Sequence, residues 1–182
     1  PTEARDLAGE GDHWHFHAAM ELTLFASGTG TRFVGDHIGP FESGDLVLLG
    51  ENLPHYWHTR GSSRGLSLQW HFPQSHPFWA FPETLPLTEL FQKAGRGIRL
   101  LGPTAREASR RLAQLTHASG PERLAGLISL LAQLAAAPDP DGELLSRHSF
   151  ALSAESNYQA AISRAVRHLA AHFREEVGLE DL

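Results

Sequence analysis

The feature that most constrains the fold is a strict alternation of residue type over residues 13–25. The odd positions carry three histidines and then Ala, Glu, Thr and Phe, whereas every even position is apolar. Because side chains of a β-strand point alternately to its two faces, the segment predicts a strand with one imidazole-rich face and one apolar face. Either the histidines face water, or they face the inside of a barrel and other elements cover the apolar face.

The run Asp45-Leu-Val-Leu-Leu49 favours the second arrangement, because it is apolar on both faces and therefore predicts a sheet covered on both sides. The chain changes character near residue 85. Before it, short apolar runs separated by glycines are typical of an all-β sandwich or barrel. After it, apolar residues recur at helical spacing, so helices can supply the cover.

Three helices are predicted after residue 85. The first contains the capping-box pattern Thr104-x-x-Glu107, with its apolar stripe at 105, 108, 112 and 115. The second opens at Ser119-Gly-Pro-Glu122 and carries a stripe of Leu124, Leu127, Ile128, Leu131 and Leu134. The third covers about residues 157–175.

Composition excludes several classes of function. The chain of 182 residues has no cysteine, which excludes disulfides, thiol catalysis and cysteine-ligated zinc. Its net charge is −6, and residues 1–92 carry four basic and eleven acidic residues, a poor surface for nucleic acid or an anionic membrane. We see neither a secretory signal nor a membrane span, and we expect a cytoplasmic protein with no membrane partner.

The histidines have the spacing of metal ligands. His15, His17 and Glu21 share one face of the predicted strand, and His55 follows a later strand. Three neutral imidazoles and one carboxylate suit a divalent ion such as Zn, Ni, Fe or Mn. The alternative that carries equal weight is a polar lumen that holds no metal and is lined by the same side chains.

Two motifs resemble those of the cupin family. Gly9-x5-His15-x-His17-x3-Glu21-x6-Gly28 resembles the first cupin motif, and Gly44-x5-Gly50-x-Asn52-x2-His55 resembles the second. The second departs at its turn residues, where Gly50 replaces a proline, Asn52 a glycine and Thr59 an asparagine. The resemblance implies a β-barrel of the cupin type, a double-stranded β-helix jelly roll, in residues 10–75, followed by an α-helical portion.

Further segments resemble the sensor half of an AraC-type bacterial transcription regulator. They include His13-Trp-His-Phe-His17, Gly28-x-Gly-Thr-Arg-Phe-Val-Gly-Asp-His37 and Leu53-Pro-His55-x-Trp57. Residues 162–182 are similar to the first helix of that family's DNA-binding domain and the start of the next, which implies a chain that ends early in that domain.

This second resemblance implies a division of labour along the chain. We expect a cupin sensor barrel with an N-terminal arm in residues 1–85, a helical dimerisation and packing segment in 86–142, and in 143–182 a linker with the first helix of a truncated helix-turn-helix domain. A small-molecule effector in the barrel would control DNA binding by the missing C-terminal domain. We also expect a homodimer and no enzymatic activity.

Nine side chains are candidates for contact with that effector, for which a sugar is a common class in the family. They are His13, His15, His17, Glu21, Arg32, His55, Trp57, Gln69 and His71. The competing hypothesis is a metal-dependent cupin enzyme, of the sugar isomerase or dioxygenase type, using His15, His17, Glu21 and His55. A third is an isolated cupin binding or storage module. Residues 138–182 weigh against both, because a small cupin enzyme or module does not need them.

Overall fold

The computed structural model describes residues 3–6, 14–150, 164–165, 168–169, 172 and 177–178. The predicted N-terminal arm falls largely outside these residues, as do the candidate His13 and most of the predicted third helix. Residues 164–165, 168–169 and 172 are helical.

The described residues form nine strands and three α-helices. The strands are β1 (Glu3–Asp6), β2 (Met20–Ser27), β3 (Gly30–Val34), β4 (His37–Phe41), β5 (Asp45–Leu49), β6 (His55–Thr59), β7 (Arg64–Trp70), β8 (Ile98–Leu100) and β9 (Gly142–Leu144). The helices are α1 (Leu85–Ala94), α2 (Gly102–His117) and α3 (Gly120–Ala135). Short 3-10 turns lie at Pro77–Ala80, Pro82–Thr84 and Asp139–Asp141.

The strands make two antiparallel sheets that face each other. One has six strands in the order β1-β7-β2-β5-β8-β9, and the other has three in the order β4-β3-β6. Phe25 and Val47 of the larger sheet share an apolar cluster with Val34, Phe41 and Trp57 of the smaller one. The predicted combination of antiparallel β-structure with helices is confirmed, but the predicted order of a β-portion followed by an all-helical portion is wrong, because β8 and β9 lie among and after the helices. Within residues 14–150, however, strand pairing does not close the two sheets into one barrel.

The polar face of β2 points between the two sheets, and its apolar face is covered by the helices. Met20, Leu22 and Leu24 are buried in the same cluster as the apolar faces of α1, α2 and α3. On the opposite face Glu21 and Thr23 are buried beside the smaller sheet, and Phe25 packs against Trp57. The prediction that the polar face lies inside and that helices cover the apolar face is confirmed.

Strand β5 also confirms its prediction of a sheet covered on both sides. Leu46 and Leu48 join the core under the helices, whereas Val47 and Leu49 join the core between the two sheets. All five residues of the strand are buried.

The predicted strand at residues 13–25 is wrong in its first part, because β2 begins only at Met20. Residues 18 and 19 form a bend, in which Nδ1 of His17 donates a hydrogen bond to the carbonyl of Ala19. The preceding backbone pairs with β6 through a single bridge between His15 and His55. This local bonding replaces the regular pairing that a continuous strand would have made.

The predicted capping box is also wrong, because α2 begins at Gly102, two residues before the predicted cap residue Thr104. Thr104 gives both its backbone N–H and its hydroxyl to Oδ2 of Asp141, at 3.2 and 2.6 Å. Glu107 pairs instead with Arg110 and Arg111. A carboxylate from a turn distant in sequence therefore accepts a backbone N–H in the first turn of this helix.

Helix α3 begins after Ser119 as predicted. Its buried residues are Leu127, Leu130, Leu131 and Leu134, while Leu124 and Ile128 of the predicted stripe remain 45% and 38% exposed. Helix α1 was not predicted separately. Strands β8 and β9 come from beyond residue 85 and extend the larger sheet, so the β-structure and the helices interleave along the chain.

Among the described residues, no helix combines the length and the hydropathy that a membrane crossing requires.

Candidate metal centre

Three histidines converge at one end of the space between the two sheets. His15 and His17 come from the irregular segment before β2, and His55 is the first residue of β6. One ring nitrogen from each lies within 4.8 Å of the others. The backbones of His15 and His55 bond reciprocally, at 3.2 and 2.9 Å, and this pairing holds the two histidines together.

His55 offers a nitrogen that has no partner. Its Nδ1 lies 2.8 Å from the carbonyl oxygen of Leu53, which can only accept, so Nδ1 carries the proton and Nε2 carries the lone pair. That Nε2 is buried, and no hydrogen-bond partner for it is found among the residues that the structure describes. Burial, aided by the nearby charge of His15 and opposed by that of Glu21, lowers the pKa of His55 to about 4. The ring is therefore neutral near pH 7, which is the form that binds a metal.

His17 is oriented in the same way. Its Nδ1 donates to the carbonyl of Ala19 at 2.9 Å, and its Nε2 faces Oε2 of Glu21 at 3.1 Å. A lone pair facing an ionised carboxylate is repelled, so a proton or a metal cation between these two atoms would stabilise the approach, and the amide nitrogen of Gln69 lies 3.4 Å from the same Nε2. Burial alone would lower the pKa of His17, but the hydrogen bond and charge of Glu21 outweigh it and raise the pKa above its ordinary value.

Glu21 is held by several polar neighbours. Its Oε1 accepts the hydroxyl of Thr23, and its Oε2 accepts the amide of Gln69 at 2.5 Å as well as facing His17. Burial works against ionisation, but the hydrogen bond from His17, the charge of His55 and these other bonds hold the pKa of Glu21 well below its usual range. The cluster therefore contains a fixed negative charge.

This donor set fits a divalent metal ion. Two ligand atoms at 2.0–2.2 Å from one ion lie about 3.0–3.5 Å apart, and the Nε2–Oε2 distance of 3.1 Å between His17 and Glu21 is already in that range. Nitrogens of His15, His17 and His55 lie within 4.8 Å of one another, whereas the predicted fourth ligand, Glu21, does not belong to the group that meets this distance. The unpartnered Nε2 of His55 would gain the partner it lacks.

The other predicted effector residues divide into two groups. Gln69 joins the cluster through Glu21, and the ring of Trp57 lies 5.5 Å from that of His55. Arg32 does not join it, since it bonds the buried carboxylate of Asp45 and lies 3.5 Å from Nε2 of His37. His71 is exposed and lies 3.9 Å from Glu51 instead.

Sequence reasoning missed Thr23 and the two carbonyl groups that orient the rings. Thr23 lies on the same strand face as Glu21, so the alternation itself could have identified it. The carbonyls of Ala19 and Leu53 could not have been found, because every residue has one and only the fold shows which of them a ring meets.

Comparisons with known proteins give distant similarities only. No protein-family model and no curated protein matches the chain. The AraC-like transcriptional activator CuxR is 12% identical over 96% of this chain and 58% of its own, with a TM-score of 0.43. ToxT from Vibrio cholerae is 10% identical over 97% of this chain and 71% of its own, also with a TM-score of 0.43. Oxalate decarboxylase from Bacillus subtilis is 17% identical over 41% of this chain and 22% of its own, with a TM-score of 0.34. The chain thus spans about a fifth of the decarboxylase, and TM-scores below 0.5 leave the family open.

Proposed function

We propose that this chain is the sensor and dimerisation portion of an AraC-type transcription regulator, built on a cupin jelly roll, and that a divalent metal ion forms part of its sensor site. The observation that carries the metal is the buried Nε2 of His55, which has no hydrogen-bond partner within the described part of the chain and points to a missing ligand. The two facing sheets and the cupin-like spacing of the ligand residues support the jelly roll.

Each side chain of the cluster has a distinct role in this proposal. His15, His17 and His55 hold the ion, and Glu21 either supplies a fourth ligand or fixes the ring of His17. Gln69 and Thr23 hold the carboxylate of Glu21 in place, as hydrogen-bond partners around metal ligands commonly do. A bound Zn, Ni, Fe or Mn ion would supply positive charge and a coordination position for an oxygen-bearing effector.

The effector in this proposal is a small polar molecule, with a sugar as the first class to examine. The amide of Gln69 can hydrogen-bond a hydroxyl group, and the indole ring of Trp57 lies beside His55 as an apolar wall. Binding there would shift the population of conformations and so reposition a DNA-binding domain that follows residue 182.

The proposed partners follow from the same account. DNA would be contacted through the C-terminal domain and not by this portion, and the protein would act in the cytoplasm. The exposed apolar edge of α3, at Leu124 and Ile128, supports a homodimer in which segment 86–142 pairs two copies.

We propose regulation and not turnover. Both oxygens of Glu21 are engaged by Thr23, Gln69 and His17, so this carboxylate is fixed in place and is poorly suited to exchange protons with a substrate. The alternative of a metal-dependent cupin enzyme uses the same histidines, and a search for turnover separates the two.

A reporter assay tests this function. The chain is fused to a heterologous DNA-binding domain that represses only as a dimer, and repression is measured in cells grown with and without added Zn, Ni, Fe or Mn. We expect repression that responds to at least one ion, and no response in His17→Ala. The matched control His71→Ala should behave like the parent. Repression that is insensitive to every ion, or equally sensitive in His17→Ala, would contradict metal sensing.

A further inference from the structure

A cavity lies on the other side of the six-stranded sheet from the histidines. Its volume is about 690 Å³, and it is bounded by the segment after β7 and by helix α1. Met20, an even position of β2, lines it and is buried under the helices. The cavity is therefore separate from the metal centre, and it has the size of sites that hold small molecules.

Aromatic rings form much of its wall. Phe72, Trp79, Phe81 and Phe91 all line it. The indole N–H of Trp79 donates to the carbonyls of Phe72 and Pro73, at 3.0 and 3.1 Å. The ring of Trp79 meets that of Phe91 at 5.2 Å, nearly at a right angle. These bonds and contacts fix the indole, so the wall is formed before any ligand arrives.

A single charged side chain faces these rings. Among the described residues that line the cavity, Glu51 alone is charged, and the polar remainder, such as Gln74, Thr88 and Gln92, is neutral. The Glu51 side chain is 37% exposed, and Nε2 of His71 lies 3.9 Å from its Oε1. Burial raises the pKa of Glu51, so a cation placed beside it would favour the ionised form.

We propose that this cavity binds a small organic cation, an amine or quaternary ammonium carried on an apolar body. The negative faces of aromatic rings attract such cations, and a carboxylate at the same site adds direct charge pairing. A neutral apolar ligand would desolvate the carboxylate of Glu51 without compensation, and an anion would be repelled by it. The site goes beyond the proposed function, since it needs neither the metal nor the effector described above.

Calorimetric titration of the 182-residue chain tests the proposal with three probes of similar size. They are benzylammonium, benzyl alcohol and benzoate. We expect the ammonium compound to bind at least about fivefold more tightly than the alcohol, and benzoate to bind most weakly. The same order should hold with a chelator present, because the metal centre is not involved.

Variants then locate the binding. Glu51→Gln keeps the size of the side chain and should weaken binding of the ammonium probe about fivefold, while the alcohol should bind at least as tightly as it does to the parent. The control Glu122→Gln removes a carboxylate from the first turn of α3, outside the cavity, and should have no effect. Thermal melting shows that each variant is folded before its affinity is compared.

Four results would overturn the proposal. They are equal affinity for the cation and the alcohol, tighter binding of benzoate, an unchanged affinity in folded Glu51→Gln, and the absence of binding by all three probes.

Discussion

The Nε2 atom of His17 lies 3.1 Å from Oε2 of Glu21, while Nδ1 of the same ring donates to the carbonyl of Ala19. Because Nδ1 is committed, a proton or a metal cation at Nε2 would stabilise the approach of the ring to the carboxylate. The buried Nε2 of His55 has no such partner among the residues with a described structure. The metal ion that we propose at the three rings would meet the needs of both nitrogens.

Removing one ligand should remove the response to metal without unfolding the protein. We expect Zn to raise the melting temperature of the parent chain, because an ion that binds only the folded state stabilises it by mass action. In His17→Ala and His55→Ala this increase should be lost, and a chelator should reverse the increase in the parent. His71→Ala is the control, since His71 pairs with Glu51 and lies outside the cluster. A normal increase in His55→Ala would show that the ion binds elsewhere.

Adjacent residues of β2 should separate stability from the metal site. Leu22→Ala leaves a cavity under the helices and should cost about 2–5 kcal/mol of the free energy of unfolding, with metal stoichiometry unchanged. Thr23→Val removes the hydroxyl that bonds Glu21 and should cost only about 1 kcal/mol, while weakening metal binding. Chemical denaturation and metal titration on both variants measure the two effects. The alternation of faces would be contradicted if Thr23→Val were the more destabilising change.

The start of α2 depends on Asp141, which accepts the backbone N–H and the hydroxyl of Thr104. We expect Asp141→Ala to lower the free energy of unfolding by about 1 kcal/mol, the usual cost of losing a helix cap. Urea unfolding followed by circular dichroism gives the value. Asp139→Ala, in the same short turn, is the control and should be close to neutral.

Asp36 should make stability depend on acid pH. Its Oδ1 accepts the Ser146 hydroxyl at 2.7 Å and the Arg147 N–H at 2.9 Å, and these bonds lower the pKa of this carboxyl. A carboxyl with a depressed folded pKa stabilises the fold above its unfolded pKa, and this contribution is lost as the pH falls through the folded value. Asp36→Asn should therefore be less stable than the parent at pH 7, by a small margin that narrows below the ordinary pKa of 3.8. Unfolding curves at pH 7 and pH 3 give the two margins, and a margin that widened on acidification would reverse this sign.

Much of the architecture could be predicted from alternation alone. The odd and even positions of β2, and the doubly apolar β5, correctly indicated which faces lie between the sheets and which lie under helices. A strand face that is buried needs apolar side chains at every second position, so the alternation of residue type shows directly which face is buried. The meeting of His15, His17 and His55 was also implied by spacing, although the regular strand assumed for the first two was wrong.

Contacts between distant parts of the chain could not be predicted. The hydrogen bonds between Thr104 and Asp141 join residues that are separated in the sequence by most of α2 and all of α3. Strands β8 and β9 have only three residues each, and no local sequence pattern distinguishes them. The departures at the second cupin-like motif become clear only in three dimensions. Asn52 has φ 56°, a left-handed conformation that asparagine tolerates better than most residues. Gly50 donates its N–H to Ala94, and a Cβ there would lie 2.6 Å from the backbone nitrogen of Gly95.

X-ray absorption at the metal edge, on chain loaded with one equivalent of Zn, tests the central claim most directly. We predict one ion per chain, with about three imidazole nitrogens at 2.0–2.1 Å, and the loss of one imidazole in His55→Ala. A shell made only of light oxygen scatterers, or a spectrum that His55→Ala leaves unchanged, would contradict a metal centre at His15, His17 and His55.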